Sequence, residues 1–205
     1  SGPMGAHPDR RMHDDTLNRT TNGDGLVAAT RYEDIAKLDA GTWHSAEFTG
    51  ERVPTFIALA KLCIELGLLC NVEIKPNVGQ ERETGEAIAL ACRKIWQDKK
   101  YLPLLTSFSY DALLAAKAIA PEFPRGILFE YLPADWKAQA EQVECVSVNC
   151  NHAHVNADQI QSIRGAGYRM ICYTVNDVAK ARKLFAWGVD GIFTDNLVEM
   201  KQLKT

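Results

Sequence analysis

From Pro54 onward the apolar positions of this chain follow two alternating patterns. One is helical: Phe56, Leu59, Ala60, Cys63 and Leu66 recur at helical spacing, and Gly67 closes the run. The other is a short apolar burst, first seen in Asn71-Val72-Glu73-Ile74-Lys75-Pro76. The two patterns then trade places to the end of the chain. Helices are predicted over 83–97, 110–119 and 134–142, with Asn156 and Asn176 as the N-caps of two more. Strands are predicted over 104–108, 126–129, 145–149, 169–175 and 191–195. Before Pro54 the pattern is irregular, with one short helical piece at 32–38 and Trp43 set against the fold.

Apolar strands separated by helices predict a parallel sheet covered on both faces. The units recur at short intervals and carry no Gly-x-Gly-x-x-Gly fingerprint, which favours a (β/α) barrel over a dinucleotide-binding fold. The predicted class is therefore α/β, a TIM barrel. Six strands are legible, counting from the Glu73 strand, whereas a closed barrel has about eight. The shortfall lies at the front.

The chain has 205 residues, enough for one domain with a full core, expected over 6–205. Ser1-Gly2-Pro3-Met4-Gly5 reads as a tag remnant. The formal net charge of -3 gives no basic surface for nucleic acid. No apolar segment approaches the roughly 20 residues of a membrane span. None of the six cysteines forms a Cys-x-x-Cys pair, and most sit inside apolar runs, so they read as small buried hydrophobes in a reducing compartment.

The candidate chemistry sits on the first legible strand. Side chains alternate along a strand, so Glu73 and Lys75 share one face and Val72 and Ile74 the other. Pro76 cannot extend the ladder, which puts the pair at the C-terminal mouth, where parallel α/β folds keep their chemistry. A carboxylate there suits a hard cation and an amine suits a phosphate. Upstream, 12–25 is dense in Asp, Thr, Asn and Gly, the composition of a loop held by side-chain-to-backbone hydrogen bonds. Within it His13, beside Asp14 and Asp15, is a candidate proton carrier. His44 reads as structural.

These residues resemble a known family. His-Asp-Asp-Thr-Leu-Asn-Arg-Thr-Thr-Asn-Gly at 13–23 is similar to the His-Asp-x-x-Leu-x-Arg-Thr-Thr signature of glycerophosphodiester phosphodiesterases. Val-Pro-Thr-Phe at 53–56, Val-Glu-Ile-Lys-Pro at 72–76, Tyr-Thr-Val-Asn at 173–176 and Gly-Val-Asp-Gly-Ile-Phe-Thr-Asp at 188–195 follow in family order. The resemblance runs from residue 12 to about 200 and is nearest to the small cytosolic bacterial type, implying a cytoplasmic protein of lipid and glycerol metabolism. It implies a TIM barrel in which 13–50 belongs to a small insertion. It also implies metal-assisted hydrolysis of a small-molecule glycerophosphodiester to an alcohol and sn-glycerol 3-phosphate. Carried over by position, His13 would protonate the leaving alkoxide. Glu73 would be one carboxylate ligand of a divalent cation, Ca²⁺ or Mg²⁺, and Lys75 would steady the phosphate.

The family also opens with a strand ending in His-Arg-Gly, a helix bearing Glu-Asn-Thr and a strand ending in Glu-x-Asp, and none of these motifs is present here. One catalytic histidine and two metal carboxylates thus have no counterpart. His7 offers only an Ala-His echo, and Asp9, Asp14 and Asp15 are the candidate substitute ligands. The expectation is weakened cation binding and impaired turnover. The alternative is a non-catalytic relative that binds glycerophosphate or a partner chain. Unpaired sheet edges would favour association, including a homo-oligomer. A phosphate-binding isomerase barrel is the third reading, with 188–191 as its loop, but the order of motifs favours a structural turn there.

Overall fold

A computed structural model describes residues 14–203. The elements in order are α1 (Tyr32–Ile35), α2 (Phe56–Glu65), β1 (Asn71–Glu73), α3 (Glu81–Ile95), β2 (Leu104–Ser107), α4 (Tyr110–Ile119) and β3 (Arg125–Phe129). Then follow α5 (Trp136–Val143), β4 (Cys145–Asn151), α6 (Ala157–Gly165), β5 (Arg169–Tyr173), α7 (Val178–Ala186), β6 (Gly191–Ile192) and α8 (Leu197–Met200). The six strands form one sheet in the order β1-β2-β3-β4-β5-β6, and every pairing is parallel. This is the predicted α/β architecture, six consecutive strands of a curled half-barrel with helices outside.

The helix-facing layer is apolar, as the bursts require. Val72, Ile74, Leu105, Ala112 and Phe123 form one buried cluster, and Ile127, Val148, Cys150, Met170, Cys172 and Leu184 form another. Burial pushes the thiols of Cys145, Cys150 and Cys172 up to about 12, so they behave as hydrophobes. Among the described residues no disulfide links the cysteines; Cys63 and Cys70 are only partly buried.

The concave face departs from the expectation of strands apolar on both sides. Thr106, Ser147 and Asn149 are fully or almost fully buried there, and their side-chain polar atoms have no hydrogen-bond partner among the described residues. Gly126 lies opposite them: a Cβ at that position would stand 2.4 Å from Ser147 Oγ and 3.0 Å from Asn149 Nδ2. The neighbouring strand needs glycine so that polar side chains from β4 can cross the lumen.

At the opposite end of the sheet from the strand C-termini, Arg125 is only 3% exposed. Its Nε donates to Val143 O (2.8 Å) and its Nη1 to Phe123 O (2.6 Å) and Pro121 O (3.1 Å). One guanidinium thus satisfies carbonyls from the α4–β3 connection and from the end of α5. Arg125→Met, which keeps the aliphatic stem and strips the donors, is expected to cost about 3 kcal/mol, because buried carbonyls lose their partners. Urea unfolding measures it; an unchanged midpoint would show that water replaces the guanidinium.

Several boundaries differ from the sequence expectation. Asn156 caps α6, as predicted, and the cap is a full capping box with Gln159. The cap of α7 is Asp177, one residue after the predicted Asn176, whose side chain is used elsewhere. In α2 only Phe56 and Ala60 of the predicted stripe are buried, and Leu66 is 63% exposed. Trp43 is also exposed, with its indole N–H donating to Ala40 O at 2.9 Å, rather than set into the fold. The helical piece predicted at 32–38 spans Tyr32–Ile35.

The segment between Asp14 and Val53 has its own small core of Leu17, Ile35 and Val53. Asp39 organises it by accepting from the backbone N–H groups of Gly41, Thr42 and Gly50 at 3.0, 2.8 and 2.6 Å. Those donors, Thr42 first, hold its carboxyl well below the usual carboxylate range.

Candidate active site

The strand ends that carry Glu73 and Lys75 are fixed by main-chain and hydroxyl contacts. Ile74 N donates to Thr106 O at 2.6 Å, extending the pairing one residue beyond β1. The Ser107 hydroxyl donates to Ile74 O at 2.5 Å and accepts from Ser109 N at 2.9 Å. Val72 and Ile74 are buried on the helix side, while Glu73 is half-buried and Lys75 exposed. The predicted alternation therefore holds, and the carboxylate and amine lie at the C-terminal mouth.

The loop that carries the second motif packs at this mouth. Lys75 Nζ lies 3.0 Å from Asp15 Oδ1. Asp14 receives Arg19 through two bonds, from Nε and, at 2.8 Å, from Nη2. Arg19 also feels the charge of Asp195, which lies in the segment between β6 and α8. Asp195 is in turn tied to Asn176: Asp195 N donates to Asn176 Oδ1 at 2.9 Å, and the Thr194 hydroxyl does so at 3.0 Å. The Asp14–Arg19 turn thus reaches from β1 toward the end of β6. His13, the predicted proton carrier, lies outside the described residues, as do His7, Asp9 and the 1–5 remnant.

Apart from Tyr173, which stands in the 173–176 motif, sequence reasoning missed the far half of the mouth. Glu130 follows β3, and its Oε1 accepts from Asn151 Nδ2 at 2.8 Å and lies 3.3 Å from His154 Nε2. The His154 ring stacks on Tyr131 with centroids 4.1 Å apart. Tyr173, at the end of β5, donates its hydroxyl to Phe129 O at 2.8 Å and meets Phe108 edge-on at 5.7 Å. Burial first, then the charges of Glu130 and Glu73 among others, raise the Tyr173 phenol above its ordinary range, so it stays a neutral donor. A partial signal existed: Glu130 and Tyr131 stand just after a predicted strand and Phe108 ends one, whereas His154, in the loop after β4, carried none.

The donor set was weighed against a divalent cation. A hard cation takes six to eight oxygens for Ca²⁺ and near-octahedral oxygens for Mg²⁺. Glu73 offers a carboxylate, but Asp15 is committed to Lys75 and Asp14 to Arg19. Among the described residues no three His, Cys, Asp or Glu side chains come together as a metal site. Glu73 fits such an ion as one ligand; the described residues do not complete the set.

Among the described residues no helix is long and apolar enough to cross a membrane. The sequence profile of the glycerophosphoryl diester phosphodiesterase family matches residues 12–199. The Bacillus subtilis (strain 168) protein YhdW is 34% identical over 190 residues, a match covering 90% of this chain and 75% of that relative. The glycerophosphodiester phosphodiesterase of Caldanaerobacter subterraneus subsp. tengcongensis is 29% identical over 186 residues, with the same coverage. Among solved structures, an Oleispira antarctica phosphodiesterase in complex with the product sn-glycerol-3-phosphate superposes with a TM-score of 0.85 at 32% identity, covering 93% of this chain and 77% of that one. With the motifs at both ends of the mouth and the profile spanning nearly the whole chain, this protein belongs to the glycerophosphoryl diester phosphodiesterase family.

Proposed function

We propose that the mouth binds a glycerophosphodiester and hydrolyses it to an alcohol and sn-glycerol 3-phosphate. The observation that carries this reading is the Lys75–Asp15 ion pair, which joins the strand motif to the loop motif at one end of the sheet. The product bound in the Oleispira antarctica relative supports the same small-molecule class. The amine of Lys75 receives the phosphate anion, and Asp15 is its counter-ion until the substrate arrives. An ammonium on a flexible stem can turn from one oxyanion to another at little cost. His13, which precedes Asp14 in the sequence, delivers the proton to the leaving alkoxide oxygen. Glu73 contributes one oxygen ligand to Ca²⁺ or Mg²⁺, whose charge, when the ion is bound, offsets that on the phosphoryl oxygens. With the rest of the ligand set not supplied by the described residues, cation affinity and turnover are expected to be low. The alternative of a non-catalytic binder of glycerophosphate rests on the same deficit.

Two further readings attach to this one. The buried, high-pKa thiols support a reducing, cytoplasmic setting. The exposed Leu66, Leu68 and Leu69 beside β1 support self-association along that edge of the sheet.

Release of glycerol 3-phosphate from glycerophosphocholine, with Ca²⁺ or Mg²⁺ and with chelator, tests the proposal. His13→Ala is expected to lower the metal-dependent rate by about 10²–10⁴-fold. An unchanged rate in that variant removes His13 from the reaction, and robust turnover by the parent refutes the impairment.

A further inference from the structure

We propose that the ends of β3, β4 and β5 form a subsite for the leaving alcohol that selects a quaternary ammonium headgroup. The inference deepens the diesterase reading and rests on it for the nature of the ligand. Glu130 is a carboxylate at the open end of the sheet, its side chain half exposed. Its hydrogen-bonding partners among the described residues, Asn151 and His154, carry no permanent charge. In the loop that packs on the mouth, by contrast, Asp14 has Arg19 and Asp15 has Lys75, while Glu73 lies on the phosphate side and Asp195 is tied to Asn176. Glu130 therefore retains an attraction for a cation that its neighbours do not satisfy.

The surroundings of Glu130 decide which cation. Tyr131 and Phe108 are 67% and 51% exposed, a large apolar area to leave in water beside the strand ends. Tyr131 is propped by the His154 ring, and His154 also approaches Glu130, so carboxylate and aromatic face are held as one unit. Tyr173 spends its hydroxyl hydrogen on Phe129 O and keeps its ring edge-on to Phe108. A quaternary ammonium has no hydrogen to donate and is recognised by aromatic faces and a nearby carboxylate. A primary ammonium would need several directed acceptors, and one Oε1 of Glu130 is already shared by Asn151 and His154. Tyr173 meets Phe108, and Phe108 follows Ser107, whose hydroxyl donates to Ile74 O between Glu73 and Lys75, so the headgroup region adjoins the phosphate region, as a single diester requires.

The test uses the full chain and needs no hydrolysis. Choline chloride is titrated at constant ionic strength by calorimetry or ligand-observed NMR, beside ethanolamine and the neutral carbon isostere of choline, dimethylbutanol. Choline is expected to bind roughly fivefold or more tightly than either. Glu130→Gln should weaken choline by a similar factor, about fivefold, with the isostere unaffected; Tyr131→Ala should weaken both. Equal binding of choline and the isostere, no detectable choline binding, or unchanged choline affinity in Glu130→Gln overturns the proposal. Hydrolysis of glycerophosphodiesters without headgroup discrimination sinks the subsite alone. Choline discrimination in a chain that hydrolyses no diester sinks the diesterase reading alone.

Discussion

Glu73→Gln is expected to lower release of sn-glycerol 3-phosphate by about a hundredfold or more, with little change in stability. The substitution keeps size and shape and removes one negative charge. Glu73 is half-buried on the concave face, whereas the apolar contacts of β1 come from Val72 and Ile74. The fold should therefore not register the change, and thermal unfolding of the variant should overlay that of the parent. The chemistry should. A neutral amide oxygen holds a hard divalent cation far less well than a carboxylate does. Two measurements separate the outcomes: the rate of product release at saturating Mg²⁺ or Ca²⁺, and calorimetric titration of the ion alone. Parent-like values in both would leave Glu73 a strand-end acid without a part in the reaction.

Gly85→Ala is expected to destabilise the protein by about 2–3 kcal/mol, against the usual sign for such a change in a helix. In a helix interior alanine is normally better than glycine by about 1 kcal/mol. Gly85 lies on the buried face of α3, where α3 packs on α4. A Cβ there would sit 2.3 Å from the Ala112 carbonyl oxygen and 3.0 Å from its carbon. These are backbone atoms of α4, so no side chain can rotate aside; the two helices must separate. Separation would loosen the contacts of Ala89 and Cys92 with Ala112 and Ala116, all fully buried. Chemical denaturation reads the loss. A variant as stable as the parent would mean that the helices slide apart at no cost.

Much of the fold was legible because a parallel sheet writes a strong signal. Strands covered by helices need apolar residues on their outer face, and the helices between them need an apolar stripe, so order and spacing follow from period alone. The family motifs added the identity of the mouth. What stayed hidden depends on which chain segments meet. The lumen residues Thr106, Ser147 and Asn149 sit in apolar bursts, and only the packing of β4 against Gly126 makes them a polar interior. The predicted stripe of α2 overstated its burial, because Leu59 and Leu66 turn away from β1 and α3. Glu130 and His154 come from different strand ends, and nothing in either local sequence announces the partner. The Asp15–Lys75 pair was likewise invisible: each residue was a candidate on its own, and their union is a property of the folded loop.

The strictly sequential strand order has a consequence for biosynthesis. Each strand pairs with the one that left the ribosome just before it, as when Asn71 meets Leu104 or Ile171 meets Gly191. No pairing in the described sheet waits for a distant segment, so the loop entropy of each addition stays modest. Growth can therefore be vectorial, one strand-and-helix unit at a time, each new helix sealing apolar surface left by the last. Buried polar groups such as Asn149 are laid down midway through that growth, before β5 and β6 have been translated.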